Sequence, residues 1–285
     1  MLSAAGGTAR HMNRIHLPLL VLIALVSAAC SIADSGTSPA PTPSPQAEAD
    51  GPMFFIDRGD NGLFKFDPSA TNSGEMVAVE IGTIGCGTTA ANPPYSLAID
   101  RAGDAIVALE NGAMIRVDTD TAACIDSGAL PIGAPYLSIR FVSNGEVETL
   151  YGIDENGILK VLSVDAPPST IGSLSEDSSG WLPDIAGTDD GRLFAFFIGE
   201  SHIREVSLDD GQLLGAPMQV RGGGWDVVAY TAGYAGGSVY TFYTFLDMPV
   251  YKTIVNKVNL ETGVAVTLSE NFGHWVVGAG AQLTR

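Results

Sequence analysis

From residue 53 to Arg285 the apolar residues fall into short runs separated by polar punctuation. Typical runs are DAIVALE, AMIRVDT, ETLYGID, RLFAFFI, HIREVSLD and SVYTFYTF. They are rich in β-branched and aromatic residues and are bounded by Gly, Asp and Asn, which is the pattern of strands. Asn-Gly pairs at 61–62, 111–112 and 156–157 and Asp-Gly pairs at 190–191 and 210–211 mark tight turns between them. No stretch after residue 53 keeps a helical spacing of apolar positions. The pattern predicts an all-β domain.

The runs repeat. Five segments open on an aromatic residue: Tyr95 in PYSLAID, Tyr136 in PYLSIRFV, Trp181 in GWLPDIAG, Trp225 in GWDVVAYT and Trp275 in HWVVGAGAQ. The steps between these aromatics are 41, 45, 44 and 50 residues, a spacing expected of four-stranded blades of ~40–50 residues. Within each repeat the third run is the most regular: LFKFDP, MIRVDT, LKVLSVD, IREVSLDDG and IVNKVNLETG. Lys65, Arg116, Arg204 and Lys257 alternate with its apolar residues, as suits a strand near an outer rim.

The two ends complement one another. MFFID, LFKFDP and MVAVEIG form three strands with no opening strand before them, and WVVGAGAQL is an opening strand with nothing after it. Joined, they complete one blade, leaving no open sheet edge. The chain therefore resembles the β-propeller superfamily over residues 53–285, with five blades closed by pairing the C-terminal strand with the N-terminal blade. The third-run turn, an apolar strand ending in Asp with Thr or Asp and Gly shortly after, looks most like secreted bacterial propellers. The rival architecture is an open, distorted β-sandwich. Trp225-Asp226 is a lone WD dipeptide and opens a blade, and the Gly-Gly pairs do not recur, so neither WD40 nor kelch repeats are indicated.

The N-terminus adds an address. Residues 1–29 hold no acidic residue; Arg10 and Arg14 precede LPLLVLIALV, and Ser27-Ala28-Ala29 lead to Cys30. This is the layout of a secretory signal, and the apolar run is shorter than the ~20 residues a spanning helix needs. VSAAC resembles a lipobox, which implies cleavage before Cys30 and a lipid, palmitate included, on that cysteine. Met12 is an alternative start. Residues 30–52, dominated by Pro, Ser, Thr, Ala and Gly, read as a flexible tether. The expected product is a lipoprotein anchored to a bacterial membrane: outer membrane, periplasm or cell surface.

Composition narrows the partners. With 32 acidic and 14 basic residues the net charge is −18, which disfavours nucleic acid. Membrane contact through the anchor and a protein, glycan or small-molecule ligand remain, and a monomer is expected. Apart from Cys30, Cys86 and Cys124 are an even pair in an oxidising compartment, so a disulfide is expected. Cys86 maps to the long approach to the second blade and Cys124 to the start of its outer strand, toward the opposite face. The bond thus requires the loop from Thr83 to Pro94 to fold down the blade's side.

In a propeller the first strand of each blade lines a central channel. The second-to-third-strand turns share one face, here called the upper face, with the starts of those inner strands. That face collects Asp57, Glu110, Asp154, Glu200 and Asp247, the histidines His202 and His274, and Trp181, Trp225 and Trp275. Such acids can hold a divalent cation through oxygen ligands, the sole cofactor expected if there is one, or work as a pair on a glycosidic bond, as in five-bladed glycoside hydrolases. The aromatics suit sugars or peptides. Equally, the acids serve turns and the aromatics fill wedges between blades. No P-loop, HExxH, GxSxG, CxxC or EF-hand pattern occurs. A non-enzymatic binding module is the first expectation, and a carboxylate- or metal-dependent hydrolase on the same face is the alternative.

Overall fold

The computed structural model describes residues 51–72, 75–125, 135–163, 165–174, 181–222, 226–247 and 249–283. Cys30 with its signal and nearly all of the tether, and Trp225, lie outside them. The described residues hold strands and no helix. In chain order the strands are β1 (Met53–Asp57), β2 (Gly62–Asn72) and β3 (Glu75–Thr83), then β4 (Pro94–Ile99), β5 (Asp104–Leu109) and β6 (Met114–Asp118). Next come β7 (Tyr136–Ser143), β8 (Glu148–Asp154), β9 (Ile158–Leu162) and β10 (Ser169–Ser173). They are followed by β11 (Asp184–Gly187), β12 (Leu193–Phe197), β13 (His202–Val206) and β14 (Leu213–Gln219). The last are β15 (Val227–Ala235), β16 (Ser238–Asp247), β17 (Val250–Asn259), β18 (Ala265–Ser269) and β19 (Val276–Ala281).

These strands form five sheets. The first has the order β19-β1-β2-β3, so the C-terminal strand opens the N-terminal blade, with Met53 opposite Ala281 and Phe55 opposite Ala279. The others are β4-β5-β6, β7-β8-β9-β10, β11-β12-β13-β14 and β15-β16-β17-β18. The inner strands touch in a closed cycle, β19 to β4 to β7 to β11 to β15 and back to β19. The molecule is therefore a five-bladed β-propeller. A sandwich would pack two sheets in layers and would not close such a ring.

The core explains why the strand runs are apolar on both faces. Five buried clusters sit one to each wedge between neighbouring blades. Phe55, Phe66, Tyr240 and Phe242 fill the wedge between the fifth and first blades, and Ile56, Leu97, Val107 and Val117 the next. Tyr136, Ile139, Ile106 and Met114 join the second and third blades. Ile153 and Phe197 stand in the wedge after that, and Phe196 and Tyr243 in the last. Each middle strand is covered by a blade on either side, so β12 is buried at every position. The inner strands carry glycine where they converge. A Cβ on Gly278 of β19 would lie 2.8 Å from the Leu97 nitrogen of β4.

The third-strand turns repeat as the sequence suggests. Asp118 Oδ1 accepts the N–H groups of Asp120 and Thr121 and the Thr121 hydroxyl, and Asn259 Oδ1 does the same for Glu261 and Thr262. The residue that closes each turn lies in the left-handed region: Gly263 at φ 67° and, in the second blade, Ala122 at φ 57°.

The second blade departs from the expectation. Its sheet has three strands, and Cys124 meets Val117 only through an isolated bridge; the following residues, 126–134, lie outside the described ones. Cys86 and Cys124 form the expected disulfide with Cα atoms 5.9 Å apart. The obstacle of opposite faces does not arise, because the end of β3 already lies beside the turn before Cys124, a Cβ on Gly82 falling 3.3 Å from that of Ala122, and the 84–92 segment folds back on itself. There Thr88 Oγ1 donates to the Ile84 carbonyl and Thr89 pairs with Asn92.

Candidate functional site

The upper face is where the inner strands begin, and the second-to-third-strand turns reach it as expected. Arg58 N donates to the Trp275 carbonyl at 2.9 Å, and Glu110 N to the Pro93 carbonyl at 3.1 Å. Most of the sequence-selected acids on this face are occupied. Asp57 caps its own turn through Gly59 N at 2.8 Å and accepts His274 Nδ1 at 2.8 Å. The His274 ring lies among Phe55, Phe64 and Phe272, with ring centres 4.7–5.1 Å away. Glu110 pairs with Arg58. Asp154 accepts Asn156 N and Ile158 N and pairs with Lys160 Nζ at 2.7 Å. Burial alone pushes the Asp154 carboxyl up, but Lys160 and the two N–H groups together hold it below the usual range. Glu200 lies 3.4 Å from His202 Nδ1, and His202 stacks on Phe197. Asp247 is exposed at the tip of the β16–β17 hairpin.

These acids are thus distributed around the ring, each in its own blade. Among the described residues no group of three or more His, Cys, Asp or Glu side chains is placed to hold a metal ion. Hydrolysis by paired carboxylates needs two acids ~5–10 Å apart across one bond, whereas here the first four each engage a local partner.

The channel itself holds an ion pair that the sequence reading did not single out. Arg140 of β7 and Asp184 of β11 are buried at the centre of the ring, their side chains 4% and 7% exposed. Arg140 Nη2 lies 3.1 Å from Asp184 Oδ2 and also reaches Thr231 Oγ1 and the Ala232 carbonyl of β15. Nη1 donates to Ser96 Oγ and to the Leu97 carbonyl of β4, and Nε to the Ala232 carbonyl. Asp184 is equally committed: Oδ1 accepts Ser138 Oγ and Ile185 N, and Oδ2 accepts Ala232 N at 2.7 Å as well. Desolvation lowers the Arg140 pKa and Asp184 opposes that. One guanidinium and one carboxylate therefore tie together inner strands from four blades and plug the channel.

Above the plug lies a cavity of about 270 Å³. Arg58, Tyr95, Trp181 and Tyr230 supply its polar and aromatic walls; Leu137, Leu182, Pro183, Val228, Ala229 and Val277 its apolar surface; Asp184 is at its base. Trp181 meets Tyr230 edge-on at 5.8 Å, and the Tyr230 hydroxyl donates to the Leu182 carbonyl, which fixes both rings. The Arg58 guanidinium lies 5.3 Å from the Trp275 ring centre, and Trp275 stacks on Tyr251 at 4.3 Å. Burial pushes the Tyr95 phenol up, reinforced by Asp184 and Glu110 and opposed by Arg58, so it remains a protonated donor at neutral pH.

Of the aromatics chosen from sequence, Trp181 lines this mouth and Trp275 supports it; Trp225 lies outside the described residues. Tyr136 is buried in its wedge instead. Arg58 and Tyr230 were not anticipated. Their signal is topological: Arg58 reaches the channel only because β1 pairs with β19.

A larger cavity of about 770 Å³ lies on the opposite face between the first and second blades, lined by Lys65, Asp67, Asp104 and Asp118 among others. Its acids serve local structure. Asp67 binds Ser69, Asp104 pairs with Arg116 at 3.1 Å and Asp118 caps its turn.

No family model and no curated protein matches the chain. Among solved structures it is similar to a Bacteroides caccae protein of unknown function at 14% identity and TM-score 0.41, covering 77% of this chain and 72% of that one. It is also similar to a virginiamycin B lyase from Staphylococcus aureus at 13% identity and TM-score 0.42, covering 80% and 71%. A third is the β-propeller domain of Swd1 from Myceliophteria thermophila, at 12% identity and TM-score 0.40, covering 71% and 63%.

Proposed function

We propose that this chain is a membrane-anchored extracytoplasmic binding module whose ligand sits in the upper mouth of the propeller channel. The observation that carries this is the cavity of about 270 Å³ walled by Arg58, Tyr95, Trp181 and Tyr230. Apolar walls with a few convergent polar groups are the general build of a ligand pocket, and pockets of ~300–1,000 Å³ hold drug-sized molecules. This one, at the small end, takes a group of one or two rings. The plug beneath stops it going deeper. Anchoring rests on VSAAC and Cys30.

The test is calorimetric titration of the purified full chain in detergent with a panel of ring compounds and short glycans, repeated with Trp181→Ala. Saturable binding that Trp181→Ala weakens at least fivefold supports the mouth as the site. Binding by no compound, or binding that ignores Trp181, overturns it. Metabolic labelling with palmitate tests the anchor: Cys30→Ser should abolish incorporation, and label retained by that variant removes the lipoprotein reading.

A further inference from the structure

We infer that the mouth selects ligands carrying a carboxylate on an aromatic ring, with Arg58 as the specificity-determining residue and Glu110 as an internal competitor for it. This rests on the mouth being the binding site and specifies its ligand. The polar inventory decides the class. Two groups in the wall have donors to spare. Arg58 lines the cavity, and among the described residues its guanidinium has one side-chain acceptor, Glu110, bound at Nη2. A guanidinium offers five donors in a fork that fits a carboxylate. Tyr95 contributes a phenol that burial keeps protonated.

The one carboxylate in the wall is used up. Both oxygens of Asp184 are saturated by Ser138, Ile185, Arg140 and Ala232, and the Leu182 carbonyl accepts the Tyr230 hydroxyl. A ligand that brings a cationic donor, such as an amine, finds no open carboxylate and faces the Arg58 charge. One that brings acceptors meets Arg58 and Tyr95. Of the two charged residues that line the cavity, Asp184 is neutralised by Arg140 and Arg58 has its partner Glu110 outside the lining, so the charge left to meet a ligand is that of Arg58. The ring of such a ligand has Trp181 and Tyr230 beside it.

The Arg58–Glu110 pair is the element that ligand binding remodels. Its side chains are 25% and 37% exposed, the range in which an ion pair is worth ~0–1 kcal/mol. An entering carboxylate can share or take the guanidinium at little cost. The chain's net charge of −18 slows the approach of an anion without deciding the contact. The same chemistry occurs in a free aromatic acid and in the C-terminal carboxylate of a peptide ending in an aromatic residue.

The experiment titrates the full chain with three probes sharing one ring system: 2-naphthylacetate, its amide, and 2-naphthylethylamine. Acid should bind about tenfold more tightly than amide, the equivalent of one charge-assisted contact, and the amine weakest. Arg58→Gln should erase the acid-over-amide preference while amide binding persists. Glu110→Gln should tighten acid binding up to about fivefold and leave the amide unchanged. Gly-Gly-Trp against its C-terminal amide separates the sources. A peptide acid tighter than naphthylacetate identifies a chain terminus, and the reverse a free acid. Equal binding of acid and amide, or a preference that survives Arg58→Gln, overturns the inference but leaves the mouth as a site. Binding of none of the probes counts against both.

Discussion

Two arginines serve the channel, one at its centre and one at the rim of its upper mouth, each paired with a carboxylate, and their surroundings give them opposite properties. Arg140 is enclosed by inner strands of four blades, and hydrogen bonds engage all three of its nitrogens. Arg58 sits on a turn at the rim of the mouth, against the face of Trp275, with Glu110 on one of its nitrogens. The lower pair has no capacity for a ligand, because any new contact would displace a buried partner. The upper pair has donors in reserve and water to soften their exchange. A third pair, Lys160 with Asp154, lies between them in burial, at 22% and 10% exposure. Burial and saturation, more than residue type, divide structural from available charge in this molecule.

The largest expected effect comes from breaking the lower pair. Arg140→Leu leaves Asp184 charged and buried and removes the donors of the Leu97 and Ala232 carbonyls. Loss of one partner of a buried pair costs about 3–5 kcal/mol. For a domain of this size the thermal midpoint should fall by roughly 10 °C. Scanning calorimetry of variant and parent measures it. A change below about 2 °C would show that the pair does not hold the blades together, and the contrast with Arg58 would collapse.

Asp154→Asn tests the intermediate case, and its pH profile is the sharper measure. Asparagine keeps the oxygen that accepts Asn156 N and Ile158 N, so the substitution isolates the charge on Lys160. The Asp154 carboxyl is held below its unfolded pKa. Its contribution is therefore complete above that unfolded value of ~3.9 and is lost as pH falls through the depressed folded one. Urea unfolding at pH 7 should find the variant less stable by about 1 kcal/mol, with the gap closing below pH ~4. A gap that persists undiminished at pH 2 would assign the loss to shape and not to charge.

Much of this division was legible in the sequence, but not the part that matters most for the site. The blades were readable because runs such as LFAFF and DAIVAL are apolar on both faces, and because the opening aromatics recur every 41–50 residues. The acids were readable as turn residues, and turns are what several of them serve: Asp57 binds Gly59 N and Asp154 binds Asn156 N. The plug has a signal of its own, a single Arg in YLSIRFV and a single Asp in LPDIAG, each the lone charge of an inner strand. Arg58 left none. In DRGDNG it looks like any solvated turn cation, and its position at the mouth follows from β1 pairing with β19 and from its contacts with Trp275 and with Glu110 of the second blade. In an acidic chain the carboxylates are the conspicuous groups, while the one with spare capacity is a cation.

The smallest effect on stability belongs to Arg58, and that smallness is what separates it from Arg140. Arg58→Gln removes an ion pair whose side chains are 25% and 37% exposed and a stacking contact on Trp275. The turn itself remains closed by Asp57 and Asp60, which accept Gly59 N and Gly62 N, and by the backbone bond from residue 58 to Trp275, which glutamine retains. The expected loss is about 1 kcal/mol or less, a shift of roughly 2–4 °C in the midpoint, while Arg140→Leu moves it several times further. If Arg58→Gln instead destabilised the fold as much as Arg140→Leu, the upper arginine would be a second clamp, between the first and second blades. Its donors would then be held by the ring and not kept for a ligand.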